Sequence, residues 1–322
     1  MKKTAILTIL FFLISSILAG CSEKSKESAK ETGKLTVYTT VYPLKYFTER
    51  IAGDLVIVET IYPPGSDEHT FEPSQRDMMK LADADLFFSI GLGLEGFVEK
   101  AKNTLKNEDV QFIAVGDKLN KTELVEETEH HEDEEDNHEE EEHHHGDVDP
   151  HIWLDPVYAN EMALAIKDAL VSKLPKEEKT FVDNYKKLSK ELNELHTTFQ
   201  STIGNAKHKD IIVSHAAFGY WEKRYDLHQI SISGLTTSSE PTQKDLEEIV
   251  KIAEEKNIKF ILFEQNVSSK LGKIIQKEIG AKSLALHNLA VLTENNIHNK
   301  ETYFTLMNEN IQSLAKALNE SK

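Results

Sequence analysis

The sequence has only one cysteine, Cys21, among its 322 residues. A chain with a single cysteine cannot form an internal disulfide, so its fold must be stable without one. The sequence also lacks an excess of basic residues, because its formal net charge at pH 7 is −18. Such a charge argues against nucleic acid as a partner. The acidic excess is consistent with simple solubility or with attraction for cations.

The apolar run at the N-terminus, residues 5–18, is too short for a confident membrane span. With two lysines before it and small residues after it, the run predicts a signal peptide over residues 1–20. It ends in Leu-Ala-Gly-Cys, which resembles a bacterial lipobox. That resemblance implies a diacylglyceryl group on Cys21 and anchoring at the extracytoplasmic face of a bacterial cell membrane. The alternative is an ordinary signal or an anchor helix. Residues 21–33 predict a solvated, lipidated tether.

Short apolar segments alternate with segments of helical period over most of the remaining chain. Strands are predicted at 35–40, 55–62, 85–90 and 111–115, and again at 210–214, 228–233, 260–263 and 283–286. Helices are predicted at 43–52, 74–82, 95–105, 218–225, 242–256, 269–279 and 301–319. This alternation is typical of parallel sheets covered by helices. We therefore predict an α/β fold with two lobes, each a parallel-sheet α/β sandwich.

A long helical stretch separates the two sets of strands. Asp155 followed by proline is a helix-start signal, and the helical pattern then continues to Ile203 with an interruption at Pro175. We predict a long rigid backbone helix in a linker over residues 156–204. The N-terminal lobe would then be 34–155 and the C-terminal lobe 205–322, with a cleft between them.

Residues 126–149 contain runs of Glu and Asp with almost no apolar side chain. Six histidines are interleaved with the acids: His130, His131, His138, His143, His144 and His145. This composition predicts a disordered loop, because it offers too little apolar surface to offset the entropy of ordering. Three roles stay open for the tract: a solvated spacer, a weak auxiliary zinc collector, or a sensor that regulates metal transfer.

Three further histidines stand in loops beside helix-start signals. His69 lies in a turn-rich loop after a strand, His151 just before the linker helix, and His215 at the end of a strand. Ligands bind at the carboxyl ends of parallel strands, so these imidazoles could converge to form a metal site in the cleft between the two lobes. Imidazole suits Zn²⁺, whereas carboxylates favour the harder Mn²⁺. With ordinary imidazoles, metal affinity should fall as the pH drops through about 6.5.

The loops carry three motifs: Pro-Gly-x-x-x-His-x-x-x-Pro-Ser at 64–74, Asp-Pro-His-x-Trp-Leu-Asp-Pro at 149–156, and Ser-His-x-x-Phe-Gly-Tyr at 214–220. They resemble the metal-binding branch of ABC-transporter solute-binding proteins (cluster A-I or cluster 9), and within it the zinc-uptake, ZnuA-like group. The resemblance implies a monomeric protein that captures Zn²⁺ and delivers it to an ABC permease, and not an enzyme. Lipoproteins of this group have also been described in cell adhesion.

The same resemblance implies that His69, His151 and His215 are the metal ligands. In manganese-binding relatives the third position is usually a carboxylate, so His215 favours zinc. The fourth ligand of the family is generally an acid in a loop near the C-terminus, where this chain has Ala290. Water, Glu68 or His287 could take that place. Glu264, at a strand end, could orient one of the ligands by hydrogen bonding.

Two alternatives to zinc capture stay open. A homologue of the same class could carry Mn²⁺ or Fe²⁺ instead. A zinc hydrolase would also use three histidines and an open coordination position. It would need a general base, for which only Glu68 and Glu264 are suitable, and the sequence has no HExxH helix.

Overall fold

The computed structural model describes residues 33–119, 124–125, 148–235, 241–265 and 269–320. Cys21, the signal segment and the six histidines of the acidic tract lie outside the described residues, so the predictions for them stay predictions. Residues Thr36–Lys322 form one compact unit. Within the described ranges, no helix combines the length and the apolar character needed to cross a membrane.

The first half of this unit is built on a four-stranded sheet. Its strands are β1 (Leu35–Thr39), β2 (Val56–Thr60), β3 (Leu86–Ser89) and β4 (Gln111–Ala114), in the order β2-β1-β3-β4. β3 runs parallel to both β1 and β4. All four residues of β3 are buried, as expected for a central strand covered on both faces. The helices are α1 (Tyr42–Ala52), α2 (Gln75–Ala82) and α3 (Val98–Thr104).

The second half repeats this arrangement with a sheet of the same strand order. Its strands are β5 (Asp210–Val213), β6 (His228–Ser231), β7 (Phe260–Phe263) and β8 (Lys282–Ala285), in the order β6-β5-β7-β8, and all three pairs are parallel. The helices are α6 (Gly219–Tyr225), α7 (Gln243–Glu255), α8 (Lys270–Glu278), α9 (Glu294–His298) and α10 (Tyr303–Ala317). The predicted class, two parallel-sheet α/β lobes, is confirmed.

The linker consists of two helices that pack against each other, α4 (Pro156–Lys173) and α5 (Glu178–Gly204). The Asp155 side chain accepts a hydrogen bond from the Val157 N–H and caps α4, as predicted. Pro175 lacks the N–H that a continuing helix would need, so the chain turns there. The predicted backbone helix is therefore the second member of a pair: α5 has 27 residues and contacts α1 in the first half and both α6 and α10 in the second. The predicted domain boundaries stay predictions.

Two local differences from the sequence prediction have physical reasons. The helix predicted from residue 95 begins at Val98, because the Glu95 carboxylate instead accepts hydrogen bonds from the Ile90 and Gly91 N–H groups at the end of β3. Helix α9 was not predicted, because five residues are too few to show a helical period. It is identified by its capping box, in which Thr293 and Asn296 exchange hydrogen bonds.

Candidate metal centre

The three predicted histidines lie together although they come from three separate loops. His69 lies between β2 and α2, His151 just before the turn Ile152–Leu154, and His215 two residues after β5. Their ring centroids are 5.0 to 5.5 Å apart. One ligand atom from each ring lies within 4.8 Å of those from the other two. Among the described residues, this is the one group of three or more such side chains with metal-binding geometry.

His151 is fully buried and oriented by Asp149. Its Nδ1 lies 2.7 Å from Asp149 Oδ1, which also accepts the His151 backbone N–H at 2.9 Å. Its Nε2 is buried without a hydrogen-bond partner. The surrounding chain is fixed by Tyr220, whose hydroxyl donates to the Asp149 carbonyl at 2.6 Å. Asp149 was not predicted as a site residue, and the loop predicted to be disordered over 126–149 wrongly included it, because its carboxylate and main chain are held by hydrogen bonds. An acid two residues before a candidate ligand was a usable signal.

His215 is also fully buried, and Glu264, the residue expected to orient one of the ligands, lies beside its ring. Nδ1 of His215 lies 3.0 Å from Glu264 Oε1, and Glu264 follows directly after β7, the neighbour of β5 in the sheet. Nε2 of His215 lies 2.8 Å from the Leu235 carbonyl oxygen. Both ring nitrogens therefore face oxygen acceptors, an arrangement that suits the doubly protonated imidazolium.

His69 is positioned through the main chain rather than through its ring. Its backbone N–H donates to Asp67 Oδ1 at 2.9 Å. The preceding carbonyl, that of Glu68, accepts the Tyr62 hydroxyl at 3.2 Å. Nε2 of His69 is buried without a hydrogen-bond partner, like Nε2 of His151. Two orphaned Nε2 atoms side by side are the condition that a bound cation would relieve.

Burial and mutual repulsion separate the pKa values of the three rings. Burial, together with the neighbouring His151 and His215, lowers the pKa of His69 to about 3. Burial lowers the pKa of His151 well below its ordinary value. Burial also opposes charge on His215, but the Glu264 carboxylate outweighs it and raises the pKa of His215 to about 9. The expected loss of affinity near pH 6.5 assumes ordinary imidazoles. With the pKa of His215 raised to about 9, we expect the competing proton on His215 and a loss of affinity that begins below about pH 9.

The two side chains considered for the fourth coordination position have other partners. Glu68 Oε1 accepts a hydrogen bond from Asn288 Nδ2 at 2.8 Å. His287 Nε2 lies 2.9 Å from Glu309 Oε2 on α10. Neither belongs to the three-histidine group. Ala290 is buried, and its carbonyl accepts the Tyr42 N–H at the start of α1.

The donor set suits a borderline divalent cation with one open coordination position. Three imidazoles, two of them with a carboxylate on Nδ1, match the ligand and hydrogen-bonding pattern of zinc sites. Glu264 and Glu68, the two candidate bases for a hydrolase, are hydrogen-bonded to His215 and Asn288 respectively. The geometry therefore supports metal binding.

Two parallel-sheet lobes with a three-histidine centre define the class of two-lobed, metal-binding solute-binding proteins. Within that class, the chain belongs to the ZnuA family, described as zinc-uptake complex component A, periplasmic, which matches residues 37–317.

Similar proteins carry zinc in their names. "Zinc-binding protein AdcA" of Streptococcus pyogenes serotype M3 is 34% identical over 276 residues, covering 84% of this chain and 54% of the relative. The chain thus spans about half the length of AdcA. "High-affinity zinc uptake system protein ZnuA" of Bacillus subtilis is 33% identical over 276 residues, covering 86% of this chain and 85% of the relative.

Solved structures share the fold. Zn(II)-bound AdcA of Streptococcus pneumoniae superposes with a TM-score of 0.73 at 31% identity, covering 90% of this chain and 59% of AdcA. The laminin-binding protein Lmb of Streptococcus agalactiae, described as having adhesin and metal-transporting activity, gives a TM-score of 0.75 at 29% identity, covering 88% of this chain and 99% of Lmb.

Proposed function

We propose that this protein is the extracytoplasmic zinc-binding component of an ABC uptake transporter. It binds Zn²⁺ through Nε2 of His69, His151 and His215, with water as the fourth ligand, and delivers the ion to a membrane permease. The observation that carries this proposal is the convergence of three imidazoles, two of which are fully buried and oriented by Asp149 and Glu264. Membership in the ZnuA family and the zinc-binding names of the relatives support it.

Capture begins with the displacement of a proton. At pH 7 the His215 ring is charged, because the Glu264 carboxylate holds the pKa of His215 at about 9. A zinc ion that takes His215 Nε2 replaces this proton and the contact with the Leu235 carbonyl. The ligands come from both halves of the molecule, so the metal favours whichever arrangement brings the halves together. That arrangement marks the loaded protein for the permease.

The remaining parts of the proposal concern residues outside the described ones. Cys21 carries the diacylglyceryl anchor, and the monomeric protein works at the outer face of the cell membrane. The tract 126–149, of which residues 126–147 lie outside the described ones, collects zinc weakly and raises its concentration near the centre. Adhesion is a second candidate function, because the similar protein Lmb is described as both an adhesin and a metal transporter.

A competition titration with a zinc chelator tests the proposal on metal-free protein. The wild type should bind one Zn²⁺ tightly and several weakly. A variant lacking 126–147, which keeps Asp149 beside His151, should keep the tight site, and His215→Ala should lose it. His228→Ala is the matched control, because His228 is an exposed histidine beside Asp210 and outside the three-histidine group. If tight zinc binding survives His215→Ala, the assignment of the site to the three histidines is wrong. Equal affinity for Mn²⁺ and Zn²⁺ would show that the cargo is wrong.

A further inference from the structure

Glu68 is a carboxylate that lies beside the metal centre without belonging to it. It precedes His69, is only 5% exposed, and interacts electrostatically with His215 and Glu264. Yet its oxygens are not among the ligand atoms that converge at the centre. A buried carboxylate this close to a divalent cation is attracted to it as a further ligand. A contact that holds the Glu68 side chain in place would therefore decide whether it can join the ligands when the metal binds.

Asn288 supplies that contact from the other half of the molecule. Its Nδ2 donates to Glu68 Oε1 at 2.8 Å, and the residue is only 6% exposed. Asn288 is itself fixed at two points. Its Oδ1 accepts the Ala290 N–H at 3.1 Å, and its backbone carbonyl accepts Trp153 Nε1 at 2.5 Å. The amide donor is therefore held in one orientation, and it holds the carboxylate in turn.

The main chain of Glu68 is held independently of this contact. The Tyr62 hydroxyl donates to the Glu68 carbonyl, and Asp67 accepts the His69 N–H. Loss of the Asn288 amide would therefore free the Glu68 side chain without releasing the loop that carries His69. The side chain could then rotate towards the centre that adjoins it.

We propose that Asn288 is a specificity-determining residue of the metal centre, because it keeps the Glu68 carboxylate out of the coordination sphere. The protein ligands are thereby limited to three neutral nitrogens, a set that suits Zn²⁺. An added carboxylate oxygen would improve the site for the harder Mn²⁺. This inference rests on the proposed function, since it concerns the selectivity of the same centre.

The test compares the affinities of the full chain for Zn²⁺ and Mn²⁺, each measured by competition with a chromogenic chelator. In Asn288→Ser the hydroxyl can still accept the Ala290 N–H, but the shorter side chain cannot reach Glu68. We expect the affinity for Mn²⁺ to rise about tenfold relative to that for Zn²⁺. Glu68→Gln in the Asn288→Ser background should cancel this gain, whereas Glu68→Gln alone should change the ratio little.

Asn310→Ala is the matched control for loosening of the same loop. Asn310 holds the main chain of His287 through hydrogen bonds of 2.7 and 2.8 Å and is not bonded to Glu68. The Asn310→Ala variant should leave the ratio of the Mn²⁺ and Zn²⁺ affinities unchanged. Asn288→Ala serves as a second variant, and near-UV circular dichroism establishes which variants are folded.

Three results would overturn the inference: an unchanged ratio in the folded Asn288 variants, a gain that persists without Glu68, or an equal gain in Asn310→Ala. A loss of zinc binding in Glu68→Gln as large as in His69→Ala would also overturn it, because Glu68 would then already be a ligand. Failure of the wild type to bind zinc tightly is a different result and contradicts the proposed function instead.

Discussion

The two halves of the molecule have sheets of the same strand order but hold their metal-binding histidines differently. The second half presents His215 just after β5, and the carboxylate on its ring comes from the end of the adjacent strand β7. The first half presents His69 from a longer loop, and only its main chain is held. His151 resembles His215, because Asp149 fixes its ring. Two sheets of the same strand order therefore position their ligands in different ways. The ring of His215 is oriented by a carboxylate, whereas His69 is positioned by the main chain of its loop.

The largest expected effect on zinc affinity comes from removing a ligand. The same substitutions should differ in their effect on protein stability, depending on which half carries the ligand. His69→Ala and His215→Ala should each weaken zinc binding by more than about 100-fold, because each deletes a protein ligand. His215→Ala also leaves Glu264 buried without its partner, so we expect a cost of about 3 kcal/mol in the free energy of unfolding. His69→Ala should cost about 1 kcal/mol or less. Chelator competition and urea unfolding measure the two quantities.

Equal destabilisation by the two substitutions would contradict this difference between the halves. Metal-free protein must be used for the unfolding curves, because bound zinc would add its own binding free energy to the wild type.

The second prediction concerns protons and separates His215 from the other two ligands. Because the pKa of His215 is raised to about 9 while that of His69 is lowered to about 3, zinc binding at pH 7.5 should release about one proton. Affinity should rise about tenfold per pH unit up to pH 9 and then level off. Calorimetry in two buffers of different ionisation enthalpy counts the released protons. Proton release that is absent at pH 7.5 would contradict the His215–Glu264 pairing.

The same pKa shifts give opposite effects on folding. The folded-state pKa of His215 lies above its unfolded value of 6.5, so its contribution to stability is fully present below pH 6.5 and is lost as the pH rises through 9. The lowered pKa values of His69 and His151 act the other way, because unfolding is favoured below pH 6.5, where these rings gain protons only in the unfolded chain. Glu264→Gln should remove the first effect and leave the second.

A smaller effect is expected from the orienting carboxylate of His151. Asp149→Ala should weaken zinc binding by about 10- to 100-fold, because the ring loses the acceptor that aims Nε2 at the metal. Asp149→Asn keeps an oxygen acceptor for both the ring and the His151 N–H, so this variant should lose clearly less zinc affinity than Asp149→Ala. If the two substitutions weaken binding equally, the charge of Asp149 matters rather than its position.

The smallest effect should come from the ion pair that ties the first half to the linker. Arg50 on α1 contacts both carboxylate oxygens of Glu191 on α5, at 2.6 and 3.0 Å, and both side chains are partly exposed. Arg50→Ala should cost about 1 kcal/mol or less and leave zinc affinity unchanged. Phe47→Ala on the same helix, which removes a fully buried ring packed on Tyr303, should cost about 3–5 kcal/mol. A change of zinc affinity in Arg50→Ala would show that the linker influences the centre.

Strand and helix positions were largely predictable from the sequence, because hydrophobic period and capping residues are local signals. Asp155 and Pro175 are examples: one begins α4 and the other ends the continuity of the linker. The three histidines were predictable individually from their loops, but their convergence depends on how both sheets face each other. The Asn288–Glu68 contact joins residues 220 positions apart, and no local pattern indicates it. The raised pKa of His215 likewise arises from tertiary contacts, chiefly that with Glu264.

The most direct test of the central claim is an anomalous-scattering map, at the zinc edge, of crystals of the zinc-loaded protein. The account predicts a strong peak bonded to Nε2 of His69, His151 and His215 at roughly 2.0–2.1 Å, with a solvent oxygen as the fourth ligand. Glu68 should remain hydrogen-bonded to Asn288. The account would be contradicted by a map that shows no peak among the three histidines and a zinc ion bound elsewhere in the chain.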